Sequence, residues 1–136
     1  MKAWKWATTI LFVVYCVFIV WYTILSRTPG PCKADFRLFW AYRELFAGDP
    51  HWKADVTQNL SNILFFVPFG LLFPVKKFRT VLLTSLAFSM LIEVIQYIGG
   101  FGLCEIDDVI CNTLGALIGY WIWQGAMKIK GKMDET

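Results

Sequence analysis

Long stretches without a single charged residue limit what this sequence can fold into. The run from Trp6 to Ser26 carries no Asp, Glu, Lys or Arg. At about 1.5 Å per residue, a helix of that length crosses roughly 30 Å, the thickness of the hydrocarbon core of a bilayer. Only 17% of the residues are charged and 57% are hydrophobic, whereas soluble domains carry roughly 25% charged residues. This balance indicates an integral membrane protein and excludes a disordered chain or a coiled coil.

Three further stretches are similarly apolar, although Glu93 interrupts one of them and Asp108 begins another. We therefore predict an all-α fold, an integral membrane four-helix bundle. The predicted spans cover residues 6–26, 60–75, 80–98 and 108–127 of a single domain over residues 1–136. Lys2 and Lys5 precede the first span as they would precede a signal peptide. However, its apolar run is too long for a signal sequence and no cleavage site follows, which favours an uncleaved anchor.

The distribution of basic residues predicts the orientation of these spans, because cytoplasmic loops are enriched in Lys and Arg. With four spans, both termini and the turn between spans 2 and 3 fall on one side. That side holds eight basic and two acidic residues, whereas the opposite side holds five basic and seven acidic residues. We therefore place the termini, including the tail 128–136, in the cytoplasm. The net charge of +3 then reflects topology and does not indicate nucleic-acid binding.

The outer loop, residues 27–59, contains aromatic residues at helical spacing. Phe36, Phe39, Trp40 and Phe46 share one face, which predicts a short amphipathic helix lying on the outer interface. An ordinary loop helix packed on the bundle is an equally good interpretation.

Polar residues converge in the outer half of the predicted bundle, whereas the inner half of each span is nearly pure hydrocarbon. A charge inside a span costs roughly 2.5–3.5 kcal/mol, so the position of Glu93 carries information. Gln96 lies on the same helical face as Glu93, and Asp108 and Asn112 share one stripe of span 4. We predict an outer polar pocket formed by Arg27, Asn62, Glu93, Gln96, Asp107, Asp108 and Asn112.

Small residues and a proline predict how the spans pack. Gly115 and Gly119 permit close approach of helix backbones, and we expect them to meet the face of span 3 that carries Ser85 and Ser89. Pro68 removes a backbone N–H from span 2 and should kink it, which would open the outer half to a ligand. A tolerated membrane proline is the simpler alternative.

Structural roles compete with ligand binding at several of these positions. Asp107 is the better candidate of the acidic pair for an N-cap of span 4. Asn62 and Asn112 each suit interhelical hydrogen bonding. Glu93 should either pair with Arg27 or be protonated and bonded to Gln96 or Asn112.

The cysteines and the histidine offer little chemistry. Cys32 and Cys104 lie on the same predicted side, where an oxidising compartment would allow a disulfide. There is no C-x-x-C motif, and His51 is the lone histidine in a loop, so no zinc site is recognisable.

With these residues in place, the chain resembles the VanZ-like family of small bacterial membrane proteins. Three blocks in order carry the resemblance: Asn-Ile-Leu-Phe-Phe-Val-Pro-Phe-Gly-Leu-Leu from Asn62, Glu-Val-Ile-Gln from Glu93, and Asp-Asp-Val-Ile-Cys-Asn-Thr-Leu-Gly from Asp107. Ser26-Arg27 after span 1 also fits. Many relatives carry a basic or aromatic residue before the acidic pair, where this chain has Leu-Cys-Glu from Leu103, which argues against an anion site there. The resemblance implies a protein of the bacterial cytoplasmic membrane and a link to tolerance of the glycopeptide teicoplanin.

The sequence leaves three functions open. In the first, the outer pocket binds an envelope lipid, a lipid-linked glycan or the lipid tail of the antibiotic, without a cofactor. In the second, Glu93, Asp107 and Asp108 hold Mg²⁺ or Ca²⁺, or act as acid and base, in a membrane enzyme acting on a lipid head group. No nucleophile or phosphate-binding motif supports that enzyme. In the third, Gly115 and Gly119 form the interface of an oligomer or assembly factor.

Overall fold

The computed structural model describes residues 2–48, 50 and 52–133. The protein is mostly helical, which confirms that part of the predicted fold class. Asp49, His51 and the last three residues of the predicted tail lie outside the described residues. The elements in chain order are α1 (Lys2–Val20) with a π-helical turn (Trp21–Leu25), β1 (Lys33–Asp35), α2 (Trp40–Ala47), α3 (Trp52–Leu72), α4 (Phe78–Gly99), β2 (Leu103–Glu105) and α5 (Ile106–Met133).

Among the described residues, two helices are long and apolar enough to cross a membrane: Lys5–Leu25 and Phe78–Gly99. Their outward faces are apolar, because side chains such as Val17 and Leu83 are 64% and 63% exposed. Such surfaces suit a lipid environment better than water. The other two predicted spans fall on α3 and α5, whose first turns carry polar residues.

Several element boundaries differ from the predicted ones. α3 begins at Trp52, well before residue 60, and α5 continues to Met133, beyond residue 127. The predicted amphipathic helix is wrong in its first part, because α2 begins only at Trp40 and Phe39 has a positive φ of 54°. Phe36 and Phe39 therefore precede the helix instead of sharing a face with Phe46.

The small residues of α5 pack against α3, not against α4 as predicted. A Cβ on Gly115 would overlap the backbone carbonyl of Ile63, and one on Gly119 would overlap that of Val67. Gly70 on α3 approaches the backbone of Ala116 just as closely. Because contacts advance along both helices together, α3 and α5 run in the same direction. Gly115 and Gly119 thus pack against another helix of the same chain and are not free to contact a second copy.

An aromatic core fills the space between α1, α3 and α4. Phe66 and Phe69 on α3 are almost fully buried, and the ring of Phe12 meets that of Phe69 edge-on at 5.0 Å. The Tyr15 hydroxyl donates to the backbone carbonyl of Phe65 at 2.5 Å, which ties α1 to α3. α3 continues as a helix through Pro68.

A feature that the all-α prediction missed is a small parallel sheet, which we call the clasp. It comprises β1 and β2, paired with Ala34 opposite Cys104, and a hydrogen bond of 2.7 Å from the Gly30 N–H to the Gly100 carbonyl. Gly100 has a φ of +64°, and a Cβ there would overlap Gly30, so this turn requires glycine. The clasp holds the long loop over the turn between α4 and α5.

At the opposite end of the molecule, Lys76 closes the end of α3. Its Nζ donates to the carbonyls of Gly70 and Leu71, at 3.2 and 2.6 Å, and lies 5.0 Å from the ring centre of Trp123. These are the orphan carbonyls that every helix leaves at its C-terminus. Burial among these groups lowers the pKa of Lys76 to about 8.

Candidate functional site

A polar cavity of about 200 Å³ lies at the loop end, the end of the molecule at which α1 stops and α3 and α5 begin. It is enclosed by the π-helical turn, α3, α4 and α5. Its walls combine amides, hydroxyls, carboxyls and one guanidinium with a few apolar side chains. The lining residues are Tyr22, Thr23, Arg27, Gln58, Ser61, Asn62, Phe65, Phe66, Ile92, Glu93, Gln96, Asp108 and Asn112. The structure therefore brings together every predicted pocket residue except Asp107.

Glu93 lies between the cavity and the clasp. Its side chain is only 4% exposed, and its Oε2 accepts a hydrogen bond of 3.0 Å from the backbone N–H of Glu105 in β2. The expected bonds to Arg27, Gln96 or Asn112 are not the ones formed, because the turn between α4 and α5 folds back over the carboxyl group. Glu93 thus joins the cavity wall to the clasp.

Two amides of the cavity wall connect neighbouring helices. Asn112 donates from Nδ2 to the Ser89 hydroxyl at 2.9 Å, which links α5 to α4 deep in the protein. Gln96 donates from Nε2 to the backbone carbonyl of Thr23 at 3.0 Å. That carbonyl lies in the π-helical turn, where the helical hydrogen-bond ladder changes its register. The two amides therefore hold α4 against α5 and against the end of α1.

Asn62 and Asp108 retain hydrogen-bonding capacity at the cavity. Asn62 accepts a bond of 3.2 Å from Gln58. Its Nδ2 and the Oδ1 of Asp108 are buried and make no hydrogen bond of good geometry among the described residues, although the two side chains interact with each other. A buried polar atom left without a partner costs about 1–3 kcal/mol. Such groups are typical of a site where a bound molecule or water completes the hydrogen bonding.

Asp107 is buried but serves the long loop instead of the cavity. Its Oδ1 accepts a bond of 2.9 Å from the backbone N–H of Phe39. Since α5 already begins at Ile106, Asp107 lies inside the first turn, and the predicted N-cap role is wrong. Its negative charge there still suits the positive end of the helix dipole.

Arg27 connects the cavity to a second, more open depression of about 490 Å³. Its Nη1 donates to the carbonyl of Phe101 at 3.2 Å, and Lys33 lines the same depression. A side chain at Gly102 would collide with the Arg27 guanidinium. The loop end therefore presents two cations directly outside the polar cavity, and we call this depression the basic mouth.

Four polar lining residues were missed in the sequence: Tyr22, Thr23, Gln58 and Ser61. Gln58 stands one turn before Asn62, and Ser61 lies three residues after Gln58, so helical spacing from Asn62 would have found Gln58 and then Ser61. Tyr22 and Thr23 enter the cavity through the π-helical turn, for which the sequence carries no recognisable pattern.

Among the described residues, the cysteines and acidic side chains form no further site. Cys32 and Cys104 are free, so they are not bridged in this structure. Burial raises the pKa of the Cys104 thiol, and the nearby Glu93 carboxylate raises it further. Within the described part of the chain, no three His, Cys, Asp or Glu side chains are grouped so as to hold a metal ion.

Comparison with known proteins supplies a relationship. The family model described as VanZ/LLP1 matches residues 12–128. Protein VanZ from Enterococcus faecium is 41% identical over 70 residues, which cover 46% of this chain and 41% of that protein. The matched part thus spans less than half of the relative. No solved structure shows significant similarity to this chain.

Proposed function

The chain belongs to the VanZ/LLP1 family, and on that premise we propose that its polar cavity binds the head group of an envelope amphiphile. The amphiphile is a membrane lipid, a lipid-linked glycan or a lipoglycopeptide such as teicoplanin. Occupation of the cavity at the cell surface would contribute to tolerance of that antibiotic by changing how it reaches its target.

The observation that carries this proposal is the convergence of polar side chains from four elements on one small cavity. Hydrogen-bonding groups inside a strongly apolar chain are costly, so they accumulate where they bind something. The cavity offers amides and hydroxyls from three helices, and the buried Asn62 Nδ2 and Asp108 Oδ1 make no hydrogen bond of good geometry that a ligand would have to break. A volume of about 200 Å³ suits one sugar ring or a glycerol-sized head group, since about 150 Å³ holds a benzene molecule.

The proposed topology places this cavity under the extracytoplasmic surface. Four spans, formed by α1, α3, α4 and α5, would leave both termini and the Lys76 turn in the cytoplasm, as the basic residues require. The loop end, with its clasp and basic mouth, then faces outward, where anionic envelope polymers and antibiotics are encountered. The basic mouth would attract an anionic ligand toward the cavity.

The test compares antibiotic susceptibility of a bacterium expressing the wild type or a cavity variant. Asn62→Leu places an apolar side chain in the cavity wall and should abolish protection against teicoplanin. The matched control is Leu64→Ala on the same helix, because Leu64 is exposed on the apolar surface and does not line the cavity. Protein amounts in the membrane must be equal. Full protection by Asn62→Leu, or no protection by the wild type, would contradict the proposed function.

A further inference from the structure

An apolar groove, distinct from the polar cavity and from the basic mouth, runs beside the cavity between α4 and α5. Its volume is about 420 Å³, and the surface that it exposes is entirely apolar. Leu86, Met90 and Val94 form the α4 side, and Val109 and Ile110 form the α5 side. Phe36 and β2 of the clasp lie at its loop end, so in the proposed orientation the groove belongs to the outer leaflet.

The groove and the polar cavity meet at one side chain. Glu93 lines both of them, while Ile92 faces the cavity and Val94 the groove. On α5 the same division falls between Asp108, on the cavity side, and Val109, on the groove side. A polar and an apolar compartment are thus separated by the width of a buried carboxyl group.

We propose that the groove holds the hydrocarbon chain of the same amphiphile whose head group occupies the polar cavity, with Glu93 at their junction. This inference rests on the proposed function. It assigns the ligand class as a single-chain or chain-extending amphiphile. The hydrogen-bonding group next to the chain is uncharged, because Glu93 and Asp108 line the cavity there, and any anionic group of the ligand lies farther out, at the basic mouth. By comparison with a 150 Å³ cavity that holds the six carbons of benzene, the groove of about 420 Å³ accommodates roughly 17 carbon atoms.

The shared lining residue Glu93 favours a tethered chain over other occupants, because a ligand that displaces this one side chain reaches both compartments. A helix from a second copy is about 10–12 Å across with its side chains, so it would rest on the groove without reaching the polar cavity. Bulk lipid chains are as apolar as the groove, so they gain little by entering it. Because a hydrocarbon chain gains little free energy in the groove compared with the bilayer, the groove orients the bound ligand more than it strengthens binding. The experiment must therefore report where the chain lies, not only how tightly the ligand binds.

The probe is a dodecyl glucoside that carries a photoreactive diazirine in the middle of its chain. The full-length protein is reconstituted in phosphatidylglycerol nanodiscs, illuminated and digested, and the labelled residues are identified by mass spectrometry. We expect labelling concentrated on Met90, Val94 and Val109, and reduced by excess unlabelled dodecyl glucoside. Val109→Trp, which fills the groove, should lose most of this labelling, whereas Leu83→Trp on the exposed face of α4 should keep it. Circular dichroism checks that both variants fold.

A second probe, with the diazirine on the sugar, separates the two proposals. One outcome is that the sugar probe labels cavity residues, with labelling reduced by unlabelled glucoside, while the chain probe labels the apolar surface of α1 and α4 evenly. That outcome would overturn the proposed chain site in the groove and leave the proposed function standing. If unlabelled glucoside does not reduce the labelling by either probe, the cavity does not bind the head group of this class of ligand. The proposed chain site in the groove is then contradicted as well. Chain labelling that Val109→Trp and Leu83→Trp affect equally would also overturn the groove.

Discussion

Replacing Gly119 by Ala tests how closely α3 and α5 pack. The added Cβ would overlap the Val67 carbonyl oxygen and lie only 2.8 Å from the Leu71 backbone nitrogen. Because these are backbone atoms, no side-chain rotation relieves the clash, and the helices must separate. Overpacking costs typically 1–3 kcal/mol, and a rigid backbone contact belongs at the upper end. The gain in helix propensity from Gly to Ala offsets about 1 kcal/mol. We therefore expect a net loss of about 2 kcal/mol.

Gly125 provides the matched control on the same helix, because nothing lies within 4 Å of its added Cβ. Gly125→Ala should raise stability by about 0.5–1 kcal/mol through helix propensity alone. Unfolding is followed by tryptophan fluorescence in mixed micelles of increasing dodecyl sulfate fraction. The reasoning is refuted if Gly119→Ala is as stable as Gly125→Ala.

Two further predictions concern single contacts. The first is a double-mutant cycle of Ser89→Ala and Asn112→Ala, measured by the same unfolding assay. We expect a coupling free energy of about 0.6 kcal/mol, the typical value for interhelical hydrogen bonds in membranes. A coupling free energy of zero would contradict the hydrogen bond between the two side chains. The pKa of Lys76 falls to about 8 in the folded protein, so between that pH and the ordinary lysine pKa the unfolded chain binds more protons. The free energy of unfolding should therefore rise with pH across this window, and Lys76→Met should remove that part of the rise. If the variant shows the same dependence on pH as the wild type, the burial of the ammonium group is contradicted.

Some features of the fold were predictable because they depend on local composition. The charge-free run of α1 and the apolar run of α4 are long enough to be recognised directly, and both correspond to helices that could cross a membrane. The polar residues of α4 and α5 were also grouped correctly by helical periodicity, which brought Glu93, Gln96 and Asn112 to one cavity.

Other features depend on which elements become neighbours, and periodicity does not contain that information. Gly115 and Gly119 mark a close-packing face, but the helix that fills it is α3 instead of the sequence neighbour α4. The strands of the clasp are three residues each, too short for an alternating pattern. Since Glu93 bonds to a backbone N–H of one of these strands, its partner was not identifiable without the clasp.

The most direct test of the polar cavity is whether water reaches it from outside the cell. Ser61 lines the cavity, so Ser61→Cys is introduced after the four native cysteines are replaced. Intact cells are then treated with a membrane-impermeant, positively charged thiosulfonate, which reacts with the thiolate and therefore requires an aqueous environment. We predict rapid modification of Ser61→Cys and none of Leu83→Cys, which faces the apolar surface. Modification of Ser61→Cys only after the cells are opened, or not at all, would contradict a cavity that opens to the outside.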